Sequence, residues 1–271
     1  AASFNAPIAG VFFALEVVIG HYALHAFSPI VIASVVGTIV SRAHLGDTPA
    51  FVVLQHAPVN IAEYPAFILL GFSCAIIAIL FLRAIVLADE GFSRSPLPVW
   101  LRPAVGGLMV GAIALYFPHV LGVGYQATDM ALNGTFGLWM LLGLVVAKTV
   151  ATSLTIGAGF GGGVFSPALF VGAMTGGAFG IIAGSVFPDL SSGVGLYAMV
   201  GMGAVAAPVL GAPISTILIV FELTGDYSMT IAAMIAVSVA SVTTQQVFGG
   251  KSFFNWQLDK RGLDLGGGRA R

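Results

Sequence analysis

A glycine-rich interruption lies between two apolar stretches of the chain, where residues 157–167 read GAGFGGGVFSP. Helices are predicted on both sides, at 136–154 and 166–186, because both stretches are long and apolar. Glycines would let the backbone turn between these helices. The first N–H groups of the second helix have no partner within it, and its dipole favours negative charge. The break therefore predicts either an anion site without a fixed cation or a packing notch between helices, and favours the two equally.

Two nucleotide-binding patterns lack the context that they need. Residues 157–162 satisfy Gly-x-Gly-x-x-Gly, but a dinucleotide site also requires a preceding strand within a βαβ unit. Here an apolar helical stretch precedes the pattern. Residues 249–252 resemble the end of a phosphate-binding loop, yet Gln245 stands where that loop requires its first glycine. We therefore predict that the chain is not an enzyme.

The composition indicates a membrane protein. Of the 271 residues, 58% are hydrophobic and 8% are charged, whereas soluble domains carry about 25% charged residues. Apolar runs at 67–82 and 231–242, with their flanks, approach the ~20 residues of a membrane-crossing helix. The net charge of −1 offers no footprint for nucleic acid. We predict an all-α, polytopic protein whose partner is the lipid bilayer and not nucleic acid.

Neither a metal nor a cofactor is expected. His21 and His25 have the i, i+4 spacing of helical metal ligands, but no third or fourth ligand lies near them in the sequence. The single cysteine, Cys74, has no partner within the chain, so no intrachain disulfide is possible.

Proline and glycine divide the chain into short predicted helices. Several are too short to cross a bilayer, which is typical of discontinuous, tilted helices whose ends meet inside the membrane, although glycine and proline also occur in ordinary membrane helices. Residues 43–63 are predicted to be an extramembrane connection, 89–94 a charged loop and 122–125 a bend before a short piece ending at 132. The predicted helices are 5–19, 24–42, 65–89, 100–117, 136–154, 166–186, 196–205, 208–223, 229–247 and 252–259.

The sequence contains a distant internal repeat. Ala-Pro-Ile occurs at 6–8 and again at 212–214, and in both copies a glutamate, Glu16 or Glu222, follows the proline after nine residues. Proline suits the first turn of a helix. A glutamate at the far end of an apolar helix must face protein or water. Paired halves are a common plan of transporters, so we expect most of a first half to precede this chain.

These features resemble the CLC family of chloride channels and chloride–proton antiporters. The anion motif Gly-x-Phe-x-Pro of that family matches residues 163–167, and further matches follow in order at 4–16, 122–125, 148–154 and 212–224. By this resemblance, residues 1–20 are the end of a first repeat, about 21–260 the remaining helices and 261–271 a polar tail.

The resemblance implies a CLC-like inverted-repeat architecture, here the second repeat plus the last helix of the first. It also implies a homodimer in which each subunit has its own anion path, with chloride as the ligand near the amides of Val164 and Phe165. Phe254 falls where the family has its central pore tyrosine, and phenylalanine lacks the hydroxyl donor. The expected location is the bacterial inner membrane. The expected anion-binding residues are Gly162, Gly163, Val164, Phe165, Pro167 and Phe254.

The expected mode of transport follows from the inner proton path. Many antiporters of the family carry a second glutamate after the one matched by Glu16, but this chain has Val17 there. Together with Phe254, this favours channel-like or weakly proton-coupled transport of chloride and similar monovalent anions. The alternative is a fully coupled chloride–proton antiporter with a different inner proton route. A non-transporting membrane domain is the third possibility.

Overall fold

The protein is all-α, as predicted. The computed structural model describes residues 1–22, 24–46, 51, 60–188, 190–249, 252–260 and 262, which form eleven α-helices and no strand. A π-helical segment, Ala14–Ile19, continues directly from the first helix. The helices are α1 (Pro7–Phe13), α2 (Leu24–Leu45), α3 (Tyr64–Arg94), α4 (Arg102–Tyr116), α5 (Tyr125–Leu132), α6 (Leu138–Gly157), α7 (Phe165–Val186), α8 (Val194–Leu210), α9 (Pro213–Thr224), α10 (Tyr227–Phe248) and α11 (Phe253–Lys260).

Long and short helices are interspersed, which confirms the discontinuous architecture. Among the described residues, five stretches are long and apolar enough to cross a membrane, whereas Pro7–Ile19, Arg102–Tyr116, Val194–Leu210 and Pro213–Thr224 are apolar but shorter. The 31 residues of α3 measure about 46 Å along the axis, which exceeds the ~30 Å hydrocarbon core. Such a helix must tilt or extend beyond the core.

Helix α8 is the centre of the molecule. Every residue from Gly195 to Leu210 is buried, and α8 packs against α3, α5, α7, α9 and α10. A helix that is apolar on all sides is stable only when protein or lipid surrounds it.

The contact between α7 and α8 depends on glycine. A Cβ at Gly176 would lie 2.0 Å from the carbonyl oxygen of Tyr197, and one at Gly172 would lie 2.4 Å from that of Gly201. No real Cβ tolerates such distances. The two α7 glycines are four residues apart, so this is the small-xxx-small packing by which membrane helices approach closely.

Two predicted boundaries are wrong. A break was expected between 205 and 208, but α8 runs through Pro208 and ends at Leu210. Pro208 has no N–H to donate to the carbonyl of Ala204, so it costs the helix one hydrogen bond without ending it. The predicted loop at 89–94 continues α3 to Arg94, where Glu90 and Arg94 form an i, i+4 ion pair.

Two further predictions fall mostly outside the described residues. Most of the predicted connection at 43–63 is not described, although Ala43–Leu45 extends α2 and Ile61–Glu63 forms a 3₁₀ turn. Of the predicted polar tail at 261–271, only Gly262 is described.

Candidate anion site

The glycine-rich break turns at more than one position. Helix α6 ends at Gly157, and Gly159 has a φ of 87°, which a side chain would strain. The chain bends again at Gly161, although the described positive-φ residues do not include positions 161–163. A Cβ at any of these three glycines would meet nothing within 4 Å. They therefore make none of the close contacts that a packing notch requires.

Helix α7 begins at the predicted place with an open N-terminus. Its N-cap is Val164, which is fully buried, and no side chain hydrogen-bonds to this cap. The carbonyl of Val164 accepts the N–H of Ala168. Pro167 lies within the first turn, where its missing N–H costs nothing. The first N–H groups thus point out of the helix, and they carry the positive end of its dipole.

A first cavity brings two of the predicted site residues together. It measures about 400 Å³, and Phe165 and Phe254 both line it. Phe4 and Phe13 line it as well and make edge contacts to the ring of Phe165, with centroids 5.1 and 5.6 Å apart. Gly162, Gly163, Val164 and Pro167 are not among its lining residues.

A second cavity is lined by the two residues predicted for the inner proton path. It measures about 200 Å³ and is lined by Glu16, Val17 and, again, Phe254. Ser241 and Thr244 of α10 also line it. Phe254 therefore lines both the first cavity, with Phe165, and the second cavity, with Glu16.

Glu16 is bound to the start of α9. One carboxylate oxygen accepts the N–H of Ile214 at 3.1 Å. The other accepts the N–H and the hydroxyl of Ser215 at 2.9 and 2.6 Å. These are N–H groups that α9 cannot satisfy itself, and a carboxylate at a helix N-terminus is further stabilised by the dipole.

Glu222 makes the same contact in the opposite direction. Its two oxygens accept the N–H groups of Ile8 and Ala9 at 2.8 and 2.7 Å, at the start of α1. Helices α1 and α9 are in contact, so they run antiparallel and each glutamate caps the other helix. We call this pair of contacts the glutamate clamp. The predicted repeat is thus a structural pair in which each copy supplies the hydrogen-bond partners of the other copy's glutamate.

Lys148 is buried, and its ammonium group is engaged in hydrogen bonds within the protein. Its ammonium group donates to the carbonyls of Val120 and Gly122 at 2.8 and 2.9 Å. It also lies 5.0 Å from the centroid of the Phe170 ring, within cation–π range. Lys148 of α6 therefore links the bend before α5 to α6 and, through Phe170, to α7. Because its donors are used in this way, it is not available to bind an anion.

Sequence reasoning missed the partners of these groups. The repeat identified Glu16 and Glu222 but not that each caps the other copy. The sequence did contain an indication of this contact. The free N–H groups at a helix start need acceptors, and a carboxylate nine residues later in an apolar helix needs donors. Ser241 and Thr244 carried no signal, since hydroxyls are common in membrane helices.

A polytopic, all-α membrane protein with half-length helices that meet inside it is the class that this fold and site define. Comparison with known proteins specifies the family. The family model described as voltage gated chloride channel matches residues 1–245. The chain therefore belongs to this family, the CLC proteins.

Individual proteins of similar sequence support the same family assignment. Chloride channel protein CLC-f of Arabidopsis thaliana is 35% identical over 260 residues, which cover 89% of this chain and 33% of the plant protein. The H(+)/Cl(−) exchange transporter ClcA of Vibrio cholerae serotype O1 (strain M66-2) is 33% identical over 266 residues, covering 96% of this chain and 57% of ClcA. The chain thus spans between a third and just over half the length of these two relatives.

The fold of this chain is also similar to that of a solved structure. The crystal structure of a slow cyanobacterial Cl⁻/H⁺ antiporter has a TM-score of 0.84 at 24% identity, covering 96% of this chain and 61% of that chain. At this identity the likeness concerns the fold alone.

Proposed function

We propose that this chain forms part of a transmembrane path for chloride and similar monovalent anions. The observation that carries the proposal is the start of α7, where no side chain caps the helix and Phe165 opens onto the first cavity. An uncapped helix N-terminus attracts anions through oriented N–H groups and the dipole. Membership of the CLC family supports the same assignment.

The electrostatics suit an ion that must leave again. A fixed lysine or arginine would bind chloride too tightly for conduction. The buried cation among the described residues, Lys148, already donates to two backbone carbonyls. The anion would then be held by partial charges alone, near Val164 and Phe165, with no cofactor.

Channel-like or weakly proton-coupled transport is the mode that these residues favour. Valine cannot carry a proton, and Val17 lines the second cavity where an inner proton path would begin. Glu16 is engaged in three hydrogen bonds to α9. A carboxylate that caps a helix is a poor shuttle, because protonation would cost those bonds.

A fully coupled antiporter is the second candidate. The second cavity favours it, because Ser241 and Thr244 place polar atoms beside Val17 and a polar cavity of this size admits water. The relative from Vibrio cholerae bears the name of an H(+)/Cl(−) exchange transporter. Water would then replace the missing carboxylate as the inner proton route.

Flux measurements in liposomes test both candidates. The purified protein is reconstituted, a chloride gradient is imposed, and chloride efflux and external pH are recorded together. We expect efflux with little proton movement from the unchanged protein. Val17→Glu should increase proton movement per chloride, with Val17→Gln as the matched control. Sustained uphill proton pumping at a fixed ratio by the unchanged protein would establish the second candidate. Absence of anion flux would contradict both.

We further propose that the protein is a homodimer in a bacterial inner membrane. Helices α1 and α9 carry apolar side chains on exposed positions, including Ile8, Ile214 and Phe221. Single cysteines at these positions, in a Cys74→Ser background, should cross-link two copies. Only monomer, under conditions that cross-link a control pair, would contradict the dimer.

A further inference from the structure

Two buried hydroxyls in the second cavity lack the partners that such groups have elsewhere in the protein. Ser241 and Thr244 are 6% and 3% exposed, and neither side-chain oxygen has a hydrogen-bond partner among the described residues. By contrast, Thr230 on the same helix donates to the carbonyl of Asp226. Unsatisfied buried polar groups are rare in proteins and require an explanation.

The two hydroxyls share a face and a cavity. They lie three residues apart on α10, which places them on the same side of the helix, and both line the second cavity. The cavity of about 200 Å³ has room for a bound ion with part of its hydration shell. Because both residues line this cavity and both oxygens lack a protein partner, this cavity is where a bound ligand would satisfy them.

The opposite wall presents the end of a helix. Helix α8 ends at Leu210, followed by Gly211 in the left-handed region, and both residues line the second cavity. The carbonyl of Ala207 accepts the N–H groups of both Gly211 and Ala212, at 2.9 and 3.0 Å. The carbonyls that follow Ala207 are thus not met by these N–H groups, and the last carbonyls of a helix have no partner within it.

The charge of the cavity is negative. Two helix N-termini, those of α9 and α11, and three C-termini, those of α8, α10 and the π-helical segment Ala14–Ile19, border it, so their partial charges give no net positive contribution. The carboxylate of Glu16 remains. Among the described lining residues, no lysine or arginine balances it.

We propose that the second cavity binds a monovalent alkali cation. Its ligands are the hydroxyl oxygens of Ser241 and Thr244 and carbonyl oxygens at the end of α8, and Glu16 supplies the charge. Oxygen donors of this kind suit hard cations, and helix C-terminal ends bind Na⁺ in transporters with broken helices. A divalent ion would require more carboxylates than this one, and an anion would face Glu16.

A cation in the second cavity would also affect anion binding. Phe254 lines both cavities, so the cation would lie beside the candidate anion path. Two ligands that stabilise each other's binding do so reciprocally. Anion affinity should therefore be higher in an alkali salt than in the choline salt of the same anion.

Rubidium bromide distinguishes a cation from an anion in one experiment. Crystals of the purified protein are soaked in this salt, and anomalous data are collected at the rubidium and the bromine absorption edges. We expect a rubidium peak within bonding distance of both hydroxyls. The peak should vanish in Ser241→Ala/Thr244→Val. It should remain in the matched control Ser238→Ala/Thr243→Val, which changes hydroxyls of the same helix that are more exposed.

Other outcomes overturn the proposal. A bromine peak in the second cavity, water density alone, or a rubidium peak that survives in Ser241→Ala/Thr244→Val would each do so. Melting temperatures of the unchanged protein provide a second test that needs no variant. Binding to the folded state raises stability with ligand concentration, so the protein should melt higher in sodium chloride than in choline chloride. Equal melting temperatures across a concentration series would count against a cation site.

Discussion

Neutralising Glu222 tests whether the glutamate clamp stabilises the protein. In Glu222→Gln, one oxygen still accepts an N–H, but the amide nitrogen now faces the other donor, at Ile8 or Ala9. Each hydrogen bond to a charged group contributes about 1.5–3 kcal/mol, and the lost dipole interaction adds about 0.3–1 kcal/mol. Because Glu222 is only half-buried, we expect the lower end, a loss of about 2 kcal/mol.

The assay is denaturant unfolding of the purified protein in detergent, followed by helical circular dichroism. The matched control is Glu90→Gln, which removes a carboxylate from an exposed i, i+4 pair with Arg94. Such pairs contribute about 0.5 kcal/mol or less. Glu16→Gln should cost as much as Glu222→Gln, because it removes the equivalent cap. If Glu222→Gln unfolds at the same midpoint as Glu90→Gln, the clamp does not stabilise the fold.

The remaining predictions concern packing and the buried lysine. Gly176→Ala should destabilise strongly, by about 3 kcal/mol or more, because the new Cβ would lie 2.0 Å from the carbonyl oxygen of Tyr197. Gly163→Ala, with nothing within 4 Å of the Cβ, should leave the melting temperature within about 2 °C, a change of a few tenths of a kcal/mol; equal melting temperatures for the two variants would contradict the packing argument. Lys148→Met should lower the free energy of unfolding by about 2 kcal/mol, since one buried and one partly exposed carbonyl lose their donor, and a midpoint unchanged from the parent would show that these bonds do not hold the bend.

Most of the fold follows from local patterns in the sequence. Length and apolarity located the long helices α3, α6, α7 and α10 within a few residues, because tertiary contacts do not change where a long apolar run can be helical. Pro208 misled the prediction, since proline removes a hydrogen bond from a helix interior and usually marks a boundary. Only the packed structure shows that α8 continues past it to Leu210, with Gly211 as the C-cap.

The site was less accessible to sequence reasoning because its partners are distant in the chain. The open start of α7 was predicted from local residues. The bonds from Glu16 to Ser215 join positions that are 199 residues apart, and no periodicity encodes them. The sequence also does not show which glycine of the break adopts the left-handed conformation, which occurs at Gly159. That choice depends on the direction in which the chain enters α7.

The central claim is that backbone N–H groups at the start of α7 hold a permeant anion. Bromide-soaked crystals of the purified protein, measured at the bromine edge, test it most directly. The account predicts an anomalous peak beside the amides of Val164 and Phe165, at a position that no lysine or arginine side chain reaches. Bromide found only at basic side chains, with none at this helix N-terminus, would contradict it.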